Sequence, residues 1–112
     1  MRIEKPWGYE IIWAQTANYI GKILNIRAGE RLSLQHHEHK EESLYIQKGK
    51  VLILLEESNG GLQEHILLPT EHIHIPAGVK HRISAQDDSE IFEVSTAFFD
   101  DVIRHEDDYG RM

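Results

Sequence analysis

Apolar side chains recur along this chain in short runs, some alternating with polar residues and some continuous, and turn-forming residues separate the runs. The runs are Tyr19 to Ile26, Leu32 to His37, Leu44 to Gln47, Val51 to Leu55, Gln63 to Leu68, His72 to Ile75, Arg82 to Ser84 and Ile91 to Ser95. Between them stand Ala28-Gly29-Glu30, Lys48-Gly49-Lys50, Ser58-Asn59-Gly60-Gly61, Pro76-Ala77-Gly78 and Gln86-Asp87-Asp88. These Gly, Pro, Asn and Asp clusters punctuate hairpins and bends. Short strands at this spacing predict an all-β sandwich or barrel. No stretch before residue 97 keeps a helical period for a dozen residues, and Phe98 to His105 is expected to be irregular or to form one or two helical turns.

Neighbouring side chains of an extended segment face opposite ways. If the segment stays extended, Gln35, His37 and His39 share one face, and Leu32, Leu34 and His36 share the other. Gln35-His36-His37-Glu38-His39-Lys40-Glu41-Glu42 therefore gathers histidines and carboxylates just ahead of a short apolar strand, and Pro76-Ala77-Gly78-Val79-Lys80-His81 adds another histidine after a turn. Imidazole nitrogen and carboxylate oxygen suit one divalent ion of the Zn, Mn, Fe, Co or Ni kind. His72 and His74 also form a His-x-His pair, but alternation with Ile73 and Ile75 turns the isoleucines inward and the histidines out. His65 and His105 are read as surface residues.

The chain has 112 residues, of which 40% are hydrophobic, enough for one core and too few for two, so a single domain over 1–112 is expected. A net charge of -7 argues against nucleic acid or an anionic membrane as partner, because phosphate polymers are bound by clustered Lys and Arg. No apolar run is long enough to span a bilayer, and Met1-Arg2-Ile3-Glu4-Lys5-Pro6 has no signal-peptide core. Together with the absence of cysteine, this leads to a cytoplasmic expectation.

The motif spacing resembles that of the cupin superfamily. Its first motif falls into register as Gly29, five residues, Gln35-x-His37, four residues, Glu42, six residues, Gly49, with Gln35 where a histidine is usual. The second falls into register as Pro76-x-Gly78-x-x-His81, with Thr70 where a glycine often opens it and Ala85 where an asparagine often closes it. The resemblance implies a cupin jelly roll and a metal set of Gln35, His37, Glu42 and His81, with His39 as a possible substitute for Gln35.

A closer likeness covers nearly the whole chain. Lys5-Pro6-Trp7-Gly8, Gly29-Glu30-Arg31-Leu32-Ser33-Leu34-Gln35, Asp100-Asp101-Val102-Ile103-Arg104 and Asp107-Asp108-Tyr109-Gly110-Arg111 resemble the C-terminal cupin domain of type II mannose-6-phosphate isomerases. Those enzymes usually read Gln-x-His-His-His-Arg-x-Glu-His-Trp, and here Glu38, Lys40, Ser43 and Leu44 replace the His, Arg, His and Trp. The resemblance implies interconversion of mannose 6-phosphate and fructose 6-phosphate, with a sugar phosphate as the small-molecule partner. It also implies that the C-terminal segment packs back on the barrel.

Such a reaction needs a base, and Glu93 is the candidate because a carboxylate inside the apolar run Ile91-Phe92-Glu93-Val94 is desolvated. It also needs cations for the phosphate. Lys22 and Arg31 are the first candidates, with Lys40 and Arg104 behind them. Trp7, Tyr9 and Trp13 are expected to cover an end of the core or a dimer interface, and a homodimer is expected from the open edges of a small sandwich. Two rivals use the same pocket: a non-catalytic metabolite-binding module and a small Fe-dependent oxygenase.

Overall fold

The alternation of the sequence becomes strands from one end to the other. The computed structural model describes residues 1–112 and contains no α-helix. The strands are β1 (Arg2–Lys5), β2 (Gly8–Gln15), β3 (Tyr19–Ile26), β4 (Leu34–His36), β5 (Glu42–Lys48), β6 (Val51–Glu56), β7 (Leu62–Leu67), β8 (His72–Ile75), β9 (His81–Ala85), β10 (Ser89–Thr96) and β11 (Ile103–Glu106). They form a six-stranded sheet in the order β1-β2-β3-β10-β5-β8 and a five-stranded sheet in the order β11-β4-β9-β6-β7, and every pairing is antiparallel. No helix is long and apolar enough to cross a membrane.

The core lies between the sheets and is built by period-two side chains. Leu24, Ile26, Leu44, Ile46, Ile75 and Ile91 come from the larger sheet. Val51, Ile53, Ile83 and Ala85 meet them from the smaller one, and Trp7 joins the same cluster. His72 and His74 are exposed, whereas Ile75 is fully buried, as the alternation requires.

The inner face of the larger sheet changes character along its strands. Glu93 lies opposite Lys22 on one side and Leu44 on the other, Ser95 lies opposite Glu42, and Glu10 lies opposite Leu24. Charged residues thus take over inward positions that aliphatic residues hold further along the same strands. One end of the sandwich is packed solid and the other is a polar cavity.

Three local features differ from the sequence expectation. β1 and β2 were not foreseen, because Ile11 and Ile12 are adjacent and a register shift between Ile12 and Ala14 breaks the period-two pattern. Residues Phe98 to His105 form no helical turn. Ile103–Glu106 instead pairs with β4, Arg104 opposite Gln35, and so closes an edge that β4 would leave open. The expected strand from Leu32 to His37 is regular only over Leu34–His36.

The C-terminal segment continues across the smaller sheet. Tyr109 packs against the core and donates its hydroxyl to Glu30. Asp108 accepts from Arg31 at 2.6 Å and from Arg82 at 3.2 Å, and the buried Arg82 also donates to the Leu32 carbonyl at 2.9 Å. Asp107 accepts from the Arg111 guanidinium through both carboxylate oxygens.

Thr70 is the only non-glycine residue with positive φ, at 76°. A β-branched side chain is disfavoured there, and this is the position where the second cupin motif often has glycine. Thr70→Gly relieves about 1–2 kcal/mol of left-handed strain and gives back part of that as lost backbone entropy. The expected net gain is about 0.5–1 kcal/mol, read as a higher urea midpoint, and a lower midpoint contradicts the assignment of strain.

Acid should act on the tail. Arg111 holds the Asp107 carboxyl down at about 2, and Arg31 holds Asp108 below the ordinary carboxylate value. Both folded-state pKa values are depressed, so their stabilisation is complete above the unfolded carboxylate value of about 4 and is lost as pH falls toward about 2. NMR signals of Tyr109 should leave their native positions within that window, and Asp107→Asn should weaken the pH dependence. Native signals persisting below pH 2 would contradict the role of these pairs.

Candidate metal centre

Three elements bring three donors to one point. His37 follows β4, Glu42 opens β5 and His81 opens β9. All three are buried, and their ligand atoms lie within 4.8 Å of one another. Glu42 Oε1 is 3.1 Å from His81 Nε2 and 3.7 Å from His37 Nε2.

The outer nitrogens of both rings are already committed. His37 Nδ1 donates to the Asp101 carbonyl at 2.5 Å, and His81 Nδ1 donates to the Val79 carbonyl at 2.9 Å. Each Nε2 is thereby left as a lone pair, buried and without a hydrogen-bond partner. Two such nitrogens beside a carboxylate are the donor set a borderline divalent ion takes, and the backbone carbonyls behind them fix the rings as supporting hydrogen bonds do in metal sites. The residues present fit a metal.

Electrostatics agrees with that fit. Burial pushes the Glu42 carboxyl up, but His37, His81 and Lys40 hold it well below the ordinary carboxylate range. Burial disfavours a charged His81 ring, yet Glu42 raises its pKa, so a proton and a metal compete for the same nitrogen.

Asp101 shapes the segment between the ligands. Its carboxylate accepts from the backbone N–H groups of Glu38, His39 and Lys40 at 2.9, 2.7 and 2.9 Å. Desolvation opposes this charge, but those three donors hold the carboxyl at about 2. The chain turns around Asp101, and this ends the strict alternation after His36. His39 is consequently carried away from the cluster to an exposed position, with its ring 5.7 Å from that of Phe98. Gln35 stays on the cavity wall, opposite His81 in the ladder, and its Oε1 accepts from the Ser33 hydroxyl at 2.8 Å. His36 faces away and meets His105 at 2.8 Å and Glu38 at 3.0 Å, so His105 is part of a stacked pair rather than a bare surface residue.

His81 is fully buried, while His37 and Glu42 of the cluster line a cavity of about 120 Å³. Glu93 is on its wall, 5% exposed, with Lys40 Nζ 3.5 Å from its carboxylate and 3.4 Å from that of Glu42. Burial, followed by the nearby Glu42 charge, raises Glu93 to about 7. Lys22 is on the wall too, 3.5 Å from Glu10. Arg31 is not: its guanidinium is exposed and bound to Asp108 outside the cavity. The tail supplies Arg104 and Arg111 to the wall instead. Glu10 had not been singled out in the sequence, and its only signal is a carboxylate at an inward register position of the unforeseen strand β2.

With this geometry established, comparison with known proteins places the chain. The profile of a family described as "Mannose-6-phosphate isomerase C-terminal" matches residues 1–107. The xanthan biosynthesis protein XanB of Xanthomonas campestris pv. campestris is 32% identical over 98% of this chain and 24% of its own length. Mannose-1-phosphate guanylyltransferase ManC of Salmonella typhimurium is 32% identical over 98% of this chain and 23% of its own. The chain thus spans about a quarter of the length of these relatives. Among solved structures, KdgF from Halomonas sp. matches with a TM-score of 0.79 at 19% identity, covering 89% of this chain and 90% of that one. CapF from Staphylococcus aureus matches at 0.80 and 19% identity, over 95% of this chain and 34% of that one. These two structures, with the Bacillus subtilis oxalate decarboxylase at a TM-score of 0.78 and 15% identity over 93% of this chain and 30% of that one, bear out the cupin jelly roll.

Loading the protein separately with Zn, Mn, Fe, Co and Ni and measuring metal by mass spectrometry should give one ion per chain. His81→Ala and His37→Ala should each abolish it, and His39→Ala should leave it unchanged. Full metal content in His81→Ala would remove the site as described.

Proposed function

The chain belongs to the mannose-6-phosphate isomerase C-terminal family, and from that premise we propose a metal-dependent isomerase of sugar phosphates that interconverts mannose 6-phosphate and fructose 6-phosphate. The observation that carries this reading is a buried carboxylate, Glu93, raised to about 7 and sharing one cavity with His37 and Glu42 of the three-donor cluster. A general base works best with a pKa near the operating pH, which is where burial and the Glu42 charge put this carboxylate.

The reaction moves one proton between adjacent carbons. In the proposed direction from aldose to ketose, Glu93 removes the proton from C2 of the open-chain sugar and returns it to C1, and a proton passes from O2 to O1 to complete the balance. Bound at His37, Glu42 and His81, with Gln35 beside them, a divalent ion would act as a Lewis acid on the carbonyl and enediolate oxygens. Lys40 lies between Glu42 and Glu93 and offsets their mutual repulsion. Burial favours its neutral form, but the two carboxylates keep it charged. Guanylyl transfer is what the name of the Salmonella relative ManC states of that longer protein, and it is not part of the proposal.

A proton NMR time course of mannose 6-phosphate with the metal-loaded protein tests the reading. Fructose 6-phosphate should appear with at least one of the five metals. Glu93→Gln should lower kcat by about 10²–10⁴ with metal content unchanged. One bound ion and no conversion with any metal would overturn the isomerase in favour of a binding module, and full activity in Glu93→Gln would overturn the base.

A further inference from the structure

The cavity is lined by five cationic side chains, and four of them already have carboxylate partners. Lys5 and Lys22 share Glu10 at 3.9 and 3.5 Å, Lys40 is held between Glu42 and Glu93, and Arg111 is bound by both oxygens of Asp107. Arg104 is the exception. It forms no ion pair, and its Nε is buried without a hydrogen-bond partner. A desolvated guanidinium nitrogen with nothing to donate to is costly, and such a group calls for an anion.

Its place in the ladder gives the anion a position. Arg104 lies opposite Gln35, and Gln35 lies opposite His81, so the three form one cross-strand row over β11, β4 and β9. Gln35 and Arg104 are both on the cavity wall, and His81 is in the metal cluster. Two strand spacings put the backbone of Arg104 about 10 Å from that of His81. One end of the row thus holds the metal donors and the other a free guanidinium, with the amide of Gln35 between them.

We infer that Arg104 is the residue that binds the phosphate of the substrate, and that the C-terminal segment is therefore part of the binding site. The inference rests on the sugar-phosphate reading above and adds the group that recognises the phosphate. A phosphate monoester suits the position because the planar guanidinium fork donates to two oxygens at once, a geometry lysine lacks. The fold delivers the fork through pairing of β11 with β4 and through the contacts of Asp108 and Tyr109 further along the tail.

The test is calorimetric titration of the metal-free chain with inorganic phosphate, repeated with mannose 6-phosphate and with mannose as the phosphate-free control. Wild type should bind both phosphates. Arg104→Gln should weaken them about tenfold or more, the loss of a hydrogen bond between charged partners. Arg104→Lys should recover part of that loss, and Arg2→Gln, remote from the cavity, should change nothing. Circular dichroism melting establishes that each variant is folded, and Arg104→Lys carries the comparison if Arg104→Gln is not.

Phosphate binding that is lost in Arg104→Gln supports the assignment even if no isomerisation is ever detected. Isomerisation with KM for mannose 6-phosphate unchanged in Arg104→Gln, or phosphate affinity unchanged in both variants, overturns it and leaves the isomerase reading intact. Failure of the wild type to bind inorganic phosphate overturns it as well.

Discussion

Asp101 ties together the parts of the molecule that chemistry requires. Its carboxylate gathers three consecutive backbone N–H groups from Glu38 to Lys40, and its carbonyl accepts the Nδ1 proton of His37. One residue thus turns the chain between two metal donors and selects the tautomer of one of them. Because Asp101 lies two residues before β11, the same contacts couple the ligand loop to the segment that carries Arg104. The metal cluster and the tail are in this sense one construction, held by hydrogen bonds to an ionised carboxylate that are stronger than neutral ones.

A second constraint follows from the period of the strands. Inward positions of the larger sheet are aliphatic along most of their length and become Glu10, Lys22, Glu42 and Glu93 at one end. Four ionisable groups in such positions are tolerated because each has an opposite charge within reach, with Lys22 against Glu10 and Lys40 against both Glu42 and Glu93. The packed aliphatic half supplies the hydrophobic free energy of the sandwich. The charged half has its charges balanced almost completely, and Arg104 on the opposing sheet is where the balance stops.

What could be read from the sequence was what depends on local period and motif spacing. The core strands follow from alternation, and the convergence of His37, Glu42 and His81 is what the resemblance of the motif spacing to the cupins implied. The losses came where one tertiary contact overrides the period. The bulge in β2 hid a strand and with it Glu10. The Asp101 turn carried His39 off the strand face that alternation assigned to it. The sequence put Arg31 ahead of Arg104 and the structure reverses the order, because their difference is one of partners: Asp108, 77 residues away from Arg31, binds the first, and nothing binds the second.

The departures from the usual type II isomerase pattern look damaging in a line of text and less so in space. Glu38 is exposed and pairs with His36 on the outside, and Ser43 is exposed on the outer face of β5. Leu44 is buried in the apolar core, so the position stays apolar and away from the cavity wall. Only Lys40 replaces a residue on the cavity wall, and it keeps the positive charge there. An ammonium group placed 3.4 and 3.5 Å from two carboxylates serves them as a point charge and needs no fork. Three of the four changes therefore avoid the cavity, and the fourth conserves the one property, charge, by which its position acts on Glu42 and Glu93.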